Sequence, residues 1–357
     1  MHKTAADLRH AAAMEELLMK VLVLGGTGLI SSQIVVRLLE AGHDVSVFNR
    51  GKRPLPYGDS VASVVGDKSD AEGFTAIARS LDVDAVIDMI SFDAQDARVT
   101  VNAFQHTVQQ IIFCSSSAAY KRPYKSVPIR EDAEDLFDDP SFGYAFGKAE
   151  MERYLQQVAA EGIVPVTIIR PSLTYGIGAS NVGVLRQNYN IVHRIKNRKP
   201  LVMFGDGTTP WSFTFAPDLA KAFVGAVGNK MTYGQAYHAT SDEIHIWQDL
   251  YTAFGEVLGI EPEIVHISSD LLKAANPDLF SHLYYEKSYC GLFDNTKVKR
   301  DIPSFKAEIS LRAGLDMMVD WYERDAHAVD EAKDRLEDRL AALHGDWTRQ
   351  LQQLGPM

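Results

Sequence analysis

The sequence predicts an α/β fold in which a doubly wound parallel sheet carries a smaller C-terminal lobe. Three observations predict it. Short β-branched runs alternate with helical patterns through the first half of the chain, and a glycine-rich turn follows the first run. From about residue 177 that alternation gives way to turn clusters and scattered helices. With 357 residues, of which 46% are hydrophobic and 23% charged, the chain can bury a core for one composite domain or two lobes.

The first strand is the apolar run Val21–Leu24, suited to burial on both faces. After the GGTG turn, Ile30, Ile34, Val35, Leu38 and Leu39 recur at helical spacing until Gly42 stops the helix. Val45–Phe48 is the next strand; Val61–Val65, Ala85–Ile90, Ile111–Cys114 and Val164–Ile169 continue the series. Helical patterns near 71–80, 94–108 and 142–160 separate the later strands, which makes the arrangement Rossmann-type. A dinucleotide-binding domain is expected over 20–180, its sheet completed by parts of 211–243. A substrate lobe is expected mainly over 181–325, with helices near 217–228, 247–258 and 311–323.

Residues 1–19 read as an N-terminal extension without the apolar centre of a signal peptide. Residues 326–357 read as an amphipathic helical tail interrupted at Gly345, laid on the protein's own body or else used as an oligomer contact.

A formal net charge of −11 argues against broad nucleic-acid or anionic-membrane binding, which needs clustered Lys and Arg. No stretch approaches the roughly 20 apolar residues of a membrane span. The two cysteines, Cys114 and Cys290, suggest no disulfide framework, and a reducing cytoplasm is the expected location. His193, His238, His245 and His266 lack metal-ligand spacing and read as structural or exposed, so no metal is expected. The acidic run Glu131–Asp135 reads as a solvated loop, and no serine nucleophile elbow is present.

Chemistry concentrates at three places. The turn Gly25-Gly26-Thr27-Gly28-Leu29-Ile30-Ser31 lies between a strand and a helix, where glycines admit a pyrophosphate close to the backbone and to the helix N-terminus. Ser31 replaces the last expected glycine and is small enough for close packing. The second strand ends in Asn49 rather than a carboxylate, followed by Arg50, Lys52 and Arg53. A ribose 2′-phosphate would meet guanidinium there, so NADP is preferred over NAD. Asp67 is a candidate for the adenine amino group, and Ser91 joins the cofactor set. Tyr144 and Lys148 stand four apart on a helix, where an ammonium lowers a phenol's pKa and makes it a workable base. At the end of the preceding strand, Ser115, Ser116 and Ser117 offer hydroxyls for a substrate oxygen.

In order and spacing, GGTGLIS, FNRG, GDKSD, FCSSSAAY, YAFGK, RPSLTYG and FTFAPDLA resemble the extended and atypical short-chain dehydrogenase/reductases, from about Lys20 to Tyr322. That resemblance implies Tyr144 as general acid or base and Lys148 as its activator and a ribose ligand. It places Ser116 at the hydroxyl position, with Ser117 as fallback and a substrate contact, and Pro171 at the nicotinamide. Asp218 matches an acidic position that caps the following helix. A homodimer is implied for assembly.

Departures narrow the reaction. Ser117 and Ala118 stand where 4,6-dehydratases carry Asp-Glu, so that dehydration is not expected. Trp211 stands near the place of a diphosphate-binding arginine, which disfavours a nucleotide sugar and offers an aromatic face to a sugar. The expected activity is hydride transfer at a secondary carbon of a sugar, sugar derivative or polyol, as net redox or as epimerisation. The other class is a non-catalytic dinucleotide sensor or RNA-associated protein of the same fold.

Overall fold

The computed structural model describes residues 18–52, 54–179, 182–186 and 189–355. Seven parallel strands form the central sheet: β1 (Lys20–Leu24), β2 (Asp44–Asn49), β3 (Ala62–Val65), β4 (Ala85–Asp88), β5 (Gln110–Cys114), β6 (Val166–Pro171) and β7 (Gln235–Ala239). Their order across the sheet is β7-β6-β5-β4-β1-β2-β3. The chain reverses direction beside β1, whose carboxyl end therefore opens on the crevice where doubly wound sheets bind ligands.

Helices α1 (Leu29–Glu40), α2 (Ala71–Ser80), α3 (Ala94–Phe104) and α4 (Gly143–Ala160) follow the strands. Further on come α5 (Tyr189–Lys196), α6 (Ala216–Ala226) and α7 (Trp247–Leu258). On one face of the sheet, Ile34, Val35 and Leu38 of α1 pack with Leu219 and Phe223 of α6. On the other, Phe74, Val101, Phe104, Met151 and Leu155 close the sandwich. All of these are essentially unexposed, and burial of each such side chain is worth about 1.5–3 kcal/mol. Gly42, at φ +84°, ends α1 in the left-handed conformation that glycine adopts without strain.

Two strand edges differ from the periodicity for local reasons. β4 stops at Asp88 because that carboxylate takes the amides of Ile90 and Ser91, both at 2.9 Å. β6 begins at Val166 because Pro165 has no N–H to give the ladder.

A separate core gathers Leu201–Phe204, Trp211, Trp247, Tyr251, Phe254, Leu315, Met318 and Tyr322. Short strand pairs frame it, among them Leu201–Phe204 beside Ile264–Ile267.

The last helix, Glu331–Gln352, runs unbroken through Gly345, contrary to the expected interruption; its intrahelical bonds outweigh one glycine's roughly 1 kcal/mol. Its first half docks on the body: fully buried Arg194 pairs with Asp334 at 2.6 Å and Asp338 at 2.9 Å. Leu343, Trp347 and Leu351 in the second half, and Leu354 just past its end, are exposed. Residues 1–17 and Arg53 lie outside the described residues. Among the described residues, no helix is long and apolar enough to cross a membrane.

Candidate active site

The loop between β1 and α1 is a cradle that a Cβ would fill. Gly25 stands at φ +87°, and a Cβ there would lie 2.4 Å from Ile90 Cγ2; at Gly26 it would lie 2.7 Å from Val47 Cγ2. Ser31 does more than fit. Its hydroxyl accepts from the Gly28 amide at 2.9 Å and donates to the Gly25 carbonyl at 2.6 Å, tying the loop to the helix. Tyr57, unmarked in the sequence, donates to the Gly26 carbonyl at 2.5 Å.

A cleft of about 600 Å³ opens over this loop, lined by Gly25, Thr27, Phe48, Asn49, Arg50, Lys52, Asp67, Lys68, Ile90 and Phe92. Five of the proposed cofactor ligands therefore meet: Gly25, Thr27, Asn49, Arg50 and Asp67. Asn49 Oδ1 accepts from the Gly51 amide at 2.7 Å, which shapes the turn that carries Arg50 and Lys52. The Asp67 carboxyl is held below its ordinary range by two hydrogen bonds from Ser69, helped by the charges of Arg50 and Lys52. Gly28 caps α1, while Leu29 and Ile30 begin it half-buried; Leu29 leans on the C-terminal core and Ile30 on the sheet core. Pro171 is buried at the end of β6, away from the cleft wall.

Ser91 is placed differently from expectation. Its hydroxyl is buried between Asp88 Oδ2, at 2.7 Å, and the Lys68 ammonium, at 2.6 Å, and is thereby spent. What Ser91 offers outward is its carbonyl, which accepts from Lys148 Nζ at 2.6 Å.

The Cys114 carbonyl also accepts from Lys148, at 2.8 Å, and the ammonium lies 4.8 Å from the centre of the Phe92 ring. Only 2% exposed, Lys148 has its pKa lowered by burial. Tyr144 lines two neighbouring cavities. One, of about 470 Å³, is shared with Phe92 and Gly147; the other, of about 280 Å³, with Ser116, Ser172, Leu173, Arg186, Trp247 and His282. Ser116 lines the same cavity, and its hydroxyl favours the Tyr144 phenolate. Burial pushes this phenol up to about 12, against the neighbouring Ser116 hydroxyl and the charge of Arg186. The 47% exposure of Tyr144 is exposure to the cavities it divides, so desolvation at the hydroxyl end is what sets the direction.

The expected lowering by Lys148 is thus reversed. Its ammonium is committed to two carbonyls, and the phenol is desolvated.

Phe92 belongs to both the cofactor cleft and the second cavity, and Tyr144 to the second and third. The three cavities are therefore neighbours, with Phe92 between the first two and Tyr144 between the last two. Residues 21–238 match the model of the NAD dependent epimerase/dehydratase family. The chain belongs to this family.

Among relatives in and around the family, the 2'-dehydrokanamycin reductase of Streptomyces kanamyceticus is 27% identical, over 69% of this chain and 68% of its own. The chloroplast stem-loop binding protein of 41 kDa b of Arabidopsis thaliana is also 27% identical, over 74% of this chain and 70% of its own. In structure, an epimerase of Methanothermobacter thermautotrophicus superposes with a TM-score of 0.71 at 18% identity, over 86% of this chain and 93% of that one. This likeness shows the same fold. The mouse dTDP-D-glucose 4,6-dehydratase is 22% identical over 89% of this chain and 92% of its own. Such relatives leave the expected exclusion of dehydration without support from the comparisons, although Ser117 and Ala118 stand as they were read.

Within the family frame, the three strand-end serines separate. Ser116 lines the third cavity, while Ser117 is 1% exposed with no hydrogen-bond partner for its hydroxyl among the described residues, so it is not placed as a substrate contact. Ser115 donates to Glu152, which holds Arg170. Arg170 in turn donates to the Tyr120 hydroxyl at 2.8 Å, and Tyr120 meets buried His238 at 3.2 Å. This chain of buried groups binds α4 to the ends of β5, β6 and β7. Glu131 of the supposed solvated loop joins it, nearly buried, by accepting from the His238 amide at 3.2 Å.

Trp211 is 0% exposed, wedged under Gly291, 5.5 Å from Trp247 and 4.6 Å from the Lys287 ammonium. It is packing, and Trp247 takes the place on the cavity wall. Asp218 does not cap its own helix; it accepts from the amides of Glu308 and Ile309 at 2.9 and 2.8 Å and pins that segment. Arg186, Trp247, His282, Glu286 and Lys287 were missed, for they come from segments with no motif.

Proposed function

We propose that this member of the family is an NADP(H)-dependent oxidoreductase acting at a secondary carbon of a sugar, sugar derivative or polyol, with reduction of the ketone as its principal direction. The observation that carries this reading is that Tyr144 and Ser116 line one cavity, and that Tyr144 also lines the cavity adjoining the dinucleotide cleft at Phe92.

The glycine cradle and the open cleft fit a dinucleotide. Arg50 and Lys52 would hold a 2′-phosphate, and Lys148 the nicotinamide ribose. A nicotinamide dinucleotide supplies or accepts the hydride when bound. Ser116 hydrogen-bonds the substrate oxygen. Tyr144 gives that oxygen a proton as the ketone is reduced, and takes one as the alcohol is oxidised. A phenol pushed up to about 12 is protonated at neutral pH, which suits the donating role. The relative named as a 2'-dehydrokanamycin reductase supports the same direction.

The test begins with fluorescence titration by NADPH and NADH, followed by turnover of keto sugars with product analysis by mass. Oxidation of NADPH with gain of two hydrogens by the sugar bears the reading out. Water loss would reveal a dehydratase, and an unchanged mass with inverted configuration an epimerase. A protein that binds neither nucleotide would sink the enzyme reading. The relative named as a stem-loop binding protein favours an RNA-associated role. Filter binding with RNA across a salt series tests that reading, against a net charge of −11.

A further inference from the structure

We propose that the cavity beside Tyr144 takes a substrate bearing an anionic oxygen group, a carboxylate or a phosphate, and that Arg186 is the residue that holds it. The inference rests on the oxidoreductase reading above and names the class of its substrate.

Three charged side chains line this cavity: Arg186, Glu286 and Lys287. Glu286 and Lys287 are consecutive on the π-helical turn Leu283–Lys287, an irregularity often found at functional sites. They cancel each other, since Lys287 Nζ donates to Glu286 Oε1 at 2.9 Å and both side chains are less than a tenth exposed. Arg122, whose charge also reaches Glu286, is occupied by the carbonyls of Ser117, Ala118 and Tyr120 at 2.7 to 2.9 Å.

Arg186 is left over. Among the described residues its guanidinium makes no hydrogen bond or ion pair, although its charge reaches both Tyr144 and His282. Its backbone sits at φ +49°, a region that a residue with a Cβ occupies at a cost and that clusters at binding sites.

The neutral groups point the same way. Ser172 Oγ, Trp247 Nε1 and His282 Nδ1 are buried on this wall without partners among the described residues. An indole nitrogen only donates, and a neutral imidazole, as His282 is with its pKa pushed down to about 3, has one N–H to give. The carboxylate that would welcome an amine is already spent on Lys287. One obligate donor, two groups able to donate and one unpaired guanidinium suit a ligand rich in acceptors and negatively charged.

The test titrates D-glucuronate, D-glucose 6-phosphate, D-glucose and D-glucosamine into the NADP-loaded protein by calorimetry at low ionic strength. At least one anion is expected to bind about tenfold or more tightly than glucose, as one charge-assisted fork supplies. Arg186→Gln should erase that preference, and Arg186→Lys should restore part of it, having the charge without the fork. Glucuronate and glucose 6-phosphate distinguish the carboxylate from the phosphate. Equal binding of all four, no binding of either anion, tighter binding of glucosamine, or a preference that survives Arg186→Gln would overturn the proposal. Loading with NADP is measured first, so a failure of the oxidoreductase reading appears there. A loaded protein without anion preference defeats this inference alone.

Discussion

Tyr144 and Ser116 line one cavity together, while Lys148, one turn further along the helix of Tyr144, donates to the carbonyls of Ser91 and Cys114. The tyrosine faces two cavities, and the lysine anchors the helix to the end of β5 and the loop after β4. Tyr144→Phe should therefore lower turnover by about 10²–10⁴-fold with little change in NADPH affinity. Steady-state rates beside a fluorescence titration check this, and an unaltered rate would remove Tyr144 from the chemistry.

Arg50 lies on the cleft wall with Lys52 and shares it with Asp67. Arg50→Ala should weaken NADPH by about tenfold or more while changing NADH little, because only the former carries the extra phosphate. Equal losses for the two nucleotides would count against the NADP assignment.

Arg170 and Glu152 form a buried pair, side chains 4% and 0% exposed. Arg170→Met leaves the carboxylate without its cation, at a cost of about 3–5 kcal/mol. Urea denaturation should show the loss, and a midpoint within error of the parent would refute it.

His238 has its pKa pushed down to about 4 by burial, among Tyr120, Arg170, Asp294, Lys297 and Glu131. Its folded value lies below the ordinary 6.5, so the fold prefers the neutral ring. That contribution is complete above pH 6.5 and is lost as the pH falls toward 4, by up to about 1.4 kcal/mol per pH unit. Glu131, whose pKa is raised chiefly by burial, opposes it at the acid end. Stability curves of the parent and His238→Asn between those limits should diverge in slope; parallel curves would exclude the histidine as the source.

Within the last helix, Arg194 meets Asp334 and Asp338, while Trp347 and Leu351 stay exposed. Truncation after residue 330 should therefore cost about 3–5 kcal/mol, and truncation after Leu343 within about 0.5 kcal/mol. Thermal melts of the two chains separate the halves.

Much of the frame was legible in the chain itself. Strands β1, β2 and β5 and helices α2 and α4 lie within a residue or two of their periodic patterns, since alternation and helical spacing act between near neighbours. Gly25, Asn49 and Tyr144 were legible for the same reason: each stands in a motif of seven residues or fewer. Trp211 misled because an aromatic beside a turn looks alike whether it faces a ligand or a core. The third cavity was invisible, because Ser116, Arg186, Trp247 and Glu286 come from four separated segments.

By itself the sequence determined the strand–helix alternation, the glycine cradle and the four-residue spacing of Tyr144 and Lys148, all interactions between near neighbours. Only the tertiary structure decided which serine shares a cavity with Tyr144, that its phenol is pushed up rather than down, and that Arg194 finds Asp334 across 140 residues. Desolvation and long-range pairing depend on which surfaces exclude water together, and no local pattern encodes that.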